Sequence, residues 1–179
     1  MARALLIIDI QRDYFPGGAM PLVEPDAAAA AARRVLDRFR ADGSPVVHLK
    51  HVWEGEDAAF MRPGTDGVEI HDTVAPADGE PVIEKAEPNG FLGTSLEQQL
   101  RSAGVGELVV AGMMSSMCVD ATVRAAAEKS FEVTVVHDAC AAPDLEFEGA
   151  TIPGASVHGA FMAALGQGYA TVVSSSELA

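Results

Sequence analysis

Basic residues are scarce in this chain of 179 residues, and lysine is the scarcest of them. Twelve Lys and Arg stand against 26 Asp and Glu, a formal net charge of −14. Nucleic acids and anionic membranes are gripped by basic patches, so this balance argues against both as partners. Cysteine is nearly absent as well. Cys118 and Cys140 are the two present, too few for a disulfide framework and without the spacing of a zinc site. Long apolar runs are missing near the start: residues 4–8 form a clean stretch that Asp9 ends, too short for a secretion-signal core or a membrane span. The expectation is a soluble, cytoplasmic protein. No glycine-rich phosphate loop is found either, because Gly104-Val-Gly106 precedes a strand pattern, where such a loop would have to open a helix.

What is present alternates between strand and helix patterns. Residues 3–10 (RALLIIDI) form a continuous apolar run closed by an acid, as in a strand buried on both faces of a parallel sheet. Pro25-Asp26 starts an alanine-rich helix to residue 40, and Asp42-Gly43-Ser44-Pro45 ends it. Further strands are expected over 45–51, 81–85, 108–111, 132–136 and 169–173. Thr94-Ser-Leu-Glu97 reads as a capping box opening a helix that ends near Gly104. Gly112 opens a tight turn, followed by a helix whose start falls at Cys118. Residues 137–153 read as a loop and 155–165 as a helix. Residues 53–79 are irregular, and a connection of that length is a lid, a pocket wall or an arm to another subunit. The pattern predicts one α/β domain, 1–179, with a six-stranded, mainly parallel sheet covered on both faces in a three-layer α/β/α arrangement.

In open α/β sheets ligands bind beyond the carboxyl ends of the strands. Three reactive side chains fall there: Asp9 after the first strand, Lys85 after the third and Cys118 just beyond the fourth. Alone, each has an ordinary reading: Asp9 as a turn cap, Lys85 as a solvated amine, Cys118 as a small packed hydrophobe. Together they form a constellation. A thiol at a helix start sees unpaired N–H groups and the positive end of the dipole, which favour the nucleophilic thiolate. Of the three lysines, Lys50, Lys85 and Lys129, one at a site has a compact amine whose pKa can move, which an arginine lacks.

Longer motifs surround these residues: Leu6-Ile-Ile-Asp9-Ile-Gln11-Arg-Asp13-Tyr-Phe15, Lys85-Ala-Glu-Pro-Asn-Gly-Phe91, Gly112-Met-Met-Ser-Ser-Met-Cys118-Val119 and His137-Asp138-Ala139-Cys140-Ala141. With them the sequence resembles, over nearly its whole length, the isochorismatase-like cysteine hydrolases, which include nicotinamidases and N-carbamoylsarcosine amidases. The resemblance implies an Asp9–Lys85–Cys118 triad. It also implies a non-proline cis peptide at Met113–Met114 that turns the N–H groups of Met114 and Cys118 toward an oxyanion. Phe15, Trp53, Phe60, Phe91 and Ser115 are the candidate substrate contacts, and the small Gly90 is a candidate for widening the pocket. Ser115-Ser116 departs from the Thr-His or Thr-Asn of many relatives. Nicotinamidases carry an Asp-x-His metal site, but here the run is Leu49-Lys50-His51. No metal or cofactor is therefore expected, and His48, His51 and His71 are assigned to loop or interface roles. The resemblance further implies a homodimer or homotetramer acting on a small molecule. The leading expectation is cleavage of a C–N bond in a small amide or carbamoyl compound through a Cys118 thioester. Vinyl-ether hydrolysis releasing pyruvate from isochorismate is the alternative, and a non-catalytic binding or redox-sensing protein is a third reading.

Overall fold

A computed structural model describes residues 1–55 and 57–178. In chain order it contains β1 (Ala2–Ile8), α1 (Pro25–Ala41), β2 (Val46–His51), β3 (Val82–Lys85), α2 (Leu96–Ser102), β4 (Val105–Met113), α3 (Asp120–Glu128), β5 (Glu132–Ala141), β6 (Leu145–Phe147), β7 (Ala150–Ile152), α4 (Gly154–Gly166) and β8 (Thr171–Val173). Six strands form one parallel sheet in the order β3-β2-β1-β4-β5-β8. The chain winds outward from β1 in one direction through β2 and β3, then crosses to β4 and proceeds the other way. The crevice between the C-terminal ends of β1 and β4 is thus the switch point where such sheets bind ligands.

Side chains alternate across the sheet and build a core on each face. On one side Leu5, Ile7, Val109 and Ala111 meet Ala28, Ala32, Val35 and Leu36 of α1. On the other, Leu6, Ile8 and Val110 meet Leu96 and Leu100 of α2, Val123 and Ala126 of α3, and Leu165 of α4. Burial on both faces is why β1 reads as an unbroken apolar run. None of the described helices is long and apolar enough to cross a membrane.

The structure departs from the sequence reading where local rules met tertiary constraints. Gly112 does not open a turn; it continues β4 with φ 155°, beside Ile8 of β1. A Cβ there would lie 2.3 Å from the Ile8 carbonyl oxygen, so glycine permits the close approach of the two strands. The chain turns after Met113 and passes through a π-helical turn, Ser115–Val119, before α3 begins at Asp120. The expected capping box is not formed: Glu97 pairs with Lys129 at 2.7 Å, while the Thr94 hydroxyl accepts from Leu96 N–H. The expected loop over 137–153 instead extends β5 to Ala141 and then forms an antiparallel hairpin, β6–β7. Its two-residue turn, Glu148-Gly149, has positive φ at both positions, the mirror-image turn that suits hairpins. Strands of three residues are too short to display alternation, and Phe147 projects from one of them into solvent.

The described residues of 53–79 pack as a wall against the segment following β1. Gln11 pairs with Ile70 in an isolated bridge, and its side chain bonds His51 and Val68 backbone groups at 2.7–2.8 Å. Buried Asp13 accepts from Met61 N–H at 2.7 Å and Ala19 N–H at 3.0 Å. These bonds place the aromatic residues of the wall over the ends of β1 and β4.

Candidate active site

Each strand that ends at the crevice delivers one functional group. Asp9 follows β1 in a left-handed conformation, φ 49°, a geometry that bulky residues avoid and aspartate tolerates. Lys85 closes β3 and is paired in register with His51, which closes β2. Cys118 lies in the π-helical turn after β4. All four side chains are buried.

The Lys85 ammonium joins them. Its Nζ lies 2.7 Å from Asp9 Oδ2, 3.0 Å from His51 Nδ1, 3.0 Å from the Glu87 carbonyl oxygen and 3.3 Å from Cys118 Sγ. An ammonium has three protons to donate, so four acceptors share them. Accepting at Nδ1 leaves the proton of a neutral His51 ring on Nε2. Burial works against the Lys85 charge, but Asp9 and Cys118 outweigh it and hold the pKa above its ordinary value. Burial, with Lys85 adding to it, pushes His51 below the usual histidine range and keeps it neutral. Burial, then the Asp9 charge, raises the Cys118 pKa far above a free thiol despite Lys85. The resting group is therefore a thiol, contrary to the expectation from its helix-start position: desolvation exceeds the dipole. No N–H or O–H donor besides Lys85 reaches the Asp9 carboxylate among the described residues, which leaves it free to face the thiol. The Met113–Met114 peptide is cis.

A cavity of about 340 Å³ opens onto Cys118. Tyr14, Trp53 and Phe60 form an aromatic wall, with Trp53 edge-on to Phe60 at 5.5 Å and Tyr14 tilted against it at 6.0 Å. Met114, Met117, His51, Ala86, Glu87 and Pro88 complete the lining. A larger concavity, about 470 Å³, lies elsewhere, between Arg40, Glu80 and Gln99. None of Asp9, Lys85 and Cys118 lines it, so the cavity at Cys118 is the candidate site.

Of the candidate substrate contacts, Trp53 and Phe60 line the cavity and three residues do not. Phe15 is buried and stacked on His71 at 3.8 Å. Phe91 is buried in the far core against Phe131, 5.9 Å away. Ser115 is fully buried, its hydroxyl donating to the Ala141 carbonyl at 3.0 Å and lying 2.8 Å from His158 Nδ1, so it faces α4 and away from the cavity. Gly90 does not widen the pocket. Its N–H donates to Thr122 Oγ1, and a Cβ would strike Leu49 Cδ1 at 2.4 Å, so its small size serves packing between strand and helix.

Two of the histidines lie on β2, the strand expected over 45–51, where they are buried and do not take the loop or interface role assigned to them. His48 Nε2 meets Glu80 at 2.9 Å, His51 Nδ1 meets Lys85, and His71 Nδ1 accepts from Thr73 N–H at 3.3 Å. They point to separate partners, and Leu49 is a buried apolar residue, so the nicotinamidase type of metal site does not fit this chain. A tighter set exists: ligand atoms of Asp9, His51 and Cys118 lie within 4.8 Å of one another. There the Lys85 ammonium already stands as the cation. His51, Tyr14, Glu87 and Met117 escaped the sequence reading. For His51 the signal was present, since it closes a strand by the same rule that singled out Lys85.

Comparison with known proteins bears on the family and the fold. A profile of the isochorismatase domain matches residues 3–175. An uncharacterised isochorismatase family protein of Bacillus subtilis, YddQ, is 52% identical over 172 residues, covering 96% of each chain. The crystal structure of a putative isochorismatase hydrolase from Oleispira antarctica superposes with TM-score 0.94 at 46% identity, covering 98% of this chain and 95% of that one. The N-carbamoylsarcosine amidase of Thermoplasma acidophilum superposes with TM-score 0.84 at 28% identity, covering 99% of both.

Proposed function

The chain belongs to the isochorismatase family of hydrolases, and from that premise we propose that it hydrolyses the C–N bond of a small amide or carbamoyl compound through a thioester on Cys118. The observation that carries this reading is a single ammonium, Lys85, lying 2.7 Å from a buried carboxylate and 3.3 Å from a buried thiol. A thiol held neutral needs a base at the moment of attack, and Asp9 is the carboxylate beside it. Cys118 Sγ attacks the carbonyl carbon as Asp9 takes the thiol proton. With the proton on Asp9 the negative charge passes to the sulfur, and the Lys85 ammonium stabilises the developing thiolate. The carbonyl oxygen becomes an oxyanion, received by the N–H groups of Met114 and Cys118. Such donors contribute about 2.7–4 kcal/mol each in comparable sites. Collapse breaks the C–N bond, and Asp9 returns the proton to the leaving amine. Water, deprotonated by Asp9, attacks the thioester and releases the acid, restoring the thiol. The amidase named among the similar structures supports the same bond class.

Vinyl-ether hydrolysis requires the acid and the lysine but no nucleophile. The placement of Cys118 against both favours the amide reading. Intact-mass spectrometry after incubation with a panel of small amides and carbamoyl compounds tests it. An acyl adduct is expected on the wild type and none on Cys118→Ala, with turnover lost in the variant. Wild-type turnover by Cys118→Ala would rule the thioester out.

A further inference from the structure

The cavity in front of Cys118 has a charge signature that bears on its ligand. Among the described residues its lining contains no arginine or lysine. Lys85, behind the thiol, is fully enclosed and shared among four acceptors, with its charge matched by Asp9. The lysine next to His51 in the chain, Lys50, is held by Glu69 and Glu84 on the outer side of the wall. His51 is neutral for the reason given above and adds no positive charge. One acidic side chain stands at the rim: Glu87, exposed to solvent and close enough that its charge acts on the His51 imidazole. Facing it are three aromatic rings, Tyr14, Trp53 and Phe60, whose π faces attract cations. Burial above all holds the Tyr14 hydroxyl neutral, well above its ordinary range, so the wall carries no charge of its own there.

We propose that this site takes carbonyl substrates bearing a positive charge, such as an ammonium or amidinium group seated between Glu87 and the aromatic wall, and disfavours substrates bearing a carboxylate. The proposal rests on the reading of the Cys118 cavity as the substrate site. Among the described residues no arginine or lysine lines the cavity to receive a carboxylate, and an anion entering would also meet the field of a chain with net charge −14. A cation gains from both the carboxylate and the rings.

The test reads the potential at Cys118 directly and needs no turnover. Methanethiosulfonate reagents of matched size, one carrying an ammonium, one neutral and one carrying a sulfonate, are reacted with the protein. Modification is followed by intact mass, with Cys118→Ala as the control for Cys140. Rates are divided by those for a free thiol at the same pH, so the thiolate fraction cancels in the cation-to-anion ratio. A normalised ratio of about tenfold or more is expected, the size that reversing one charge beside a partly solvated carboxylate produces. It should collapse toward one in Glu87→Gln, fall below one in Glu87→Lys and shrink with added salt. A ratio at or below one in the wild type overturns the proposal, as does a ratio that Glu87→Gln leaves unchanged, or failure of all three reagents to reach Cys118. Failure of every amide to turn over would instead overturn the thioester hydrolase reading and leave this result standing.

Discussion

The arrangement at Lys85 explains why a lysine and not an arginine occupies the end of β3. Four acceptors converge on one point at 2.7–3.3 Å, which a compact ammonium can serve and a planar guanidinium cannot. His51 is part of that cage. Its neutral imidazole accepts from Lys85, and protonation would replace an acceptor with a second cation. Because its pKa is lowered from 6.5, the neutral form persists below pH 6.5 and is lost only on further acidification. Alkylation of Cys118 by iodoacetamide, normalised to a free thiol, is therefore expected to show an acid limb below pH 6.5 that His51→Gln removes. His51→Phe removes the titrating acceptor but leaves Lys85 three partners for its three protons, so it should also remove the limb while changing the neutral-pH rate by no more than about tenfold. An unchanged profile in His51→Gln would assign the limb elsewhere. The sequence made Asp9, Lys85 and Cys118 legible because position at a strand's C-terminal end is a one-dimensional property. Which way Phe15, Phe91 and Ser115 point is decided by packing partners 26 or more residues away for Ser115 and 40 away for Phe91, and no local pattern encodes that.

Between β4 and α3 the chain must reverse sharply and still hold a thiol and two backbone N–H groups in place. The turn is pinned from behind. Ser115 Oγ donates to the Ala141 carbonyl at the end of β5, and His158 of α4 reaches the same hydroxyl at 2.8 Å. For both contacts to be satisfied, the hydroxyl proton goes to Ala141 and His158 Nδ1 donates to the oxygen. Ser115→Ala leaves a buried carbonyl and a half-buried imidazole without their partner. The expected loss is about 1–3 kcal/mol of stability, read as a lower urea midpoint at unchanged slope. Cys118 labelling should slow in parallel. Threonine at 115 keeps the hydroxyl and should restore most of both. The sequence pattern recovers the six sheet strands and the four α-helices because their apolar faces are buried against one another. It misses the β6–β7 hairpin and the extra length of β4, since the first is too short to show a period and the second depends on how closely Ile8 approaches Gly112.

At the scale of the molecule, acidity is distributed unevenly, and one carboxylate far from Cys118 controls the response to pH. Glu80 receives two bonds from Arg40 at 2.7 and 2.8 Å, one from Ala77 N–H at 2.9 Å and a contact from His48 Nε2 at 2.9 Å. Chiefly through Arg40, its pKa falls from 4.5 to about 2. A carboxylate whose folded pKa lies below its unfolded value contributes stability that is full above 4.5 and lost as pH falls toward 2. His48 acts in the same direction. Burial, partly opposed by Glu80, lowers its pKa from 6.5, so the neutral folded form loses ground to the unfolded chain as pH drops below 6.5. Stability should therefore decline gently from pH 6.5 and more steeply below 4.5. The Glu80 contribution is of the order of 2 kcal/mol, less than the full shift implies because the pair retains some solvent. Urea denaturation of the wild type and Glu80→Gln at pH 7, 5 and 3.5 checks this. The gap between the two proteins should be widest at pH 7 and narrow at 3.5, whereas a gap that is constant with pH would show that Glu80 acts through packing and not through its charge.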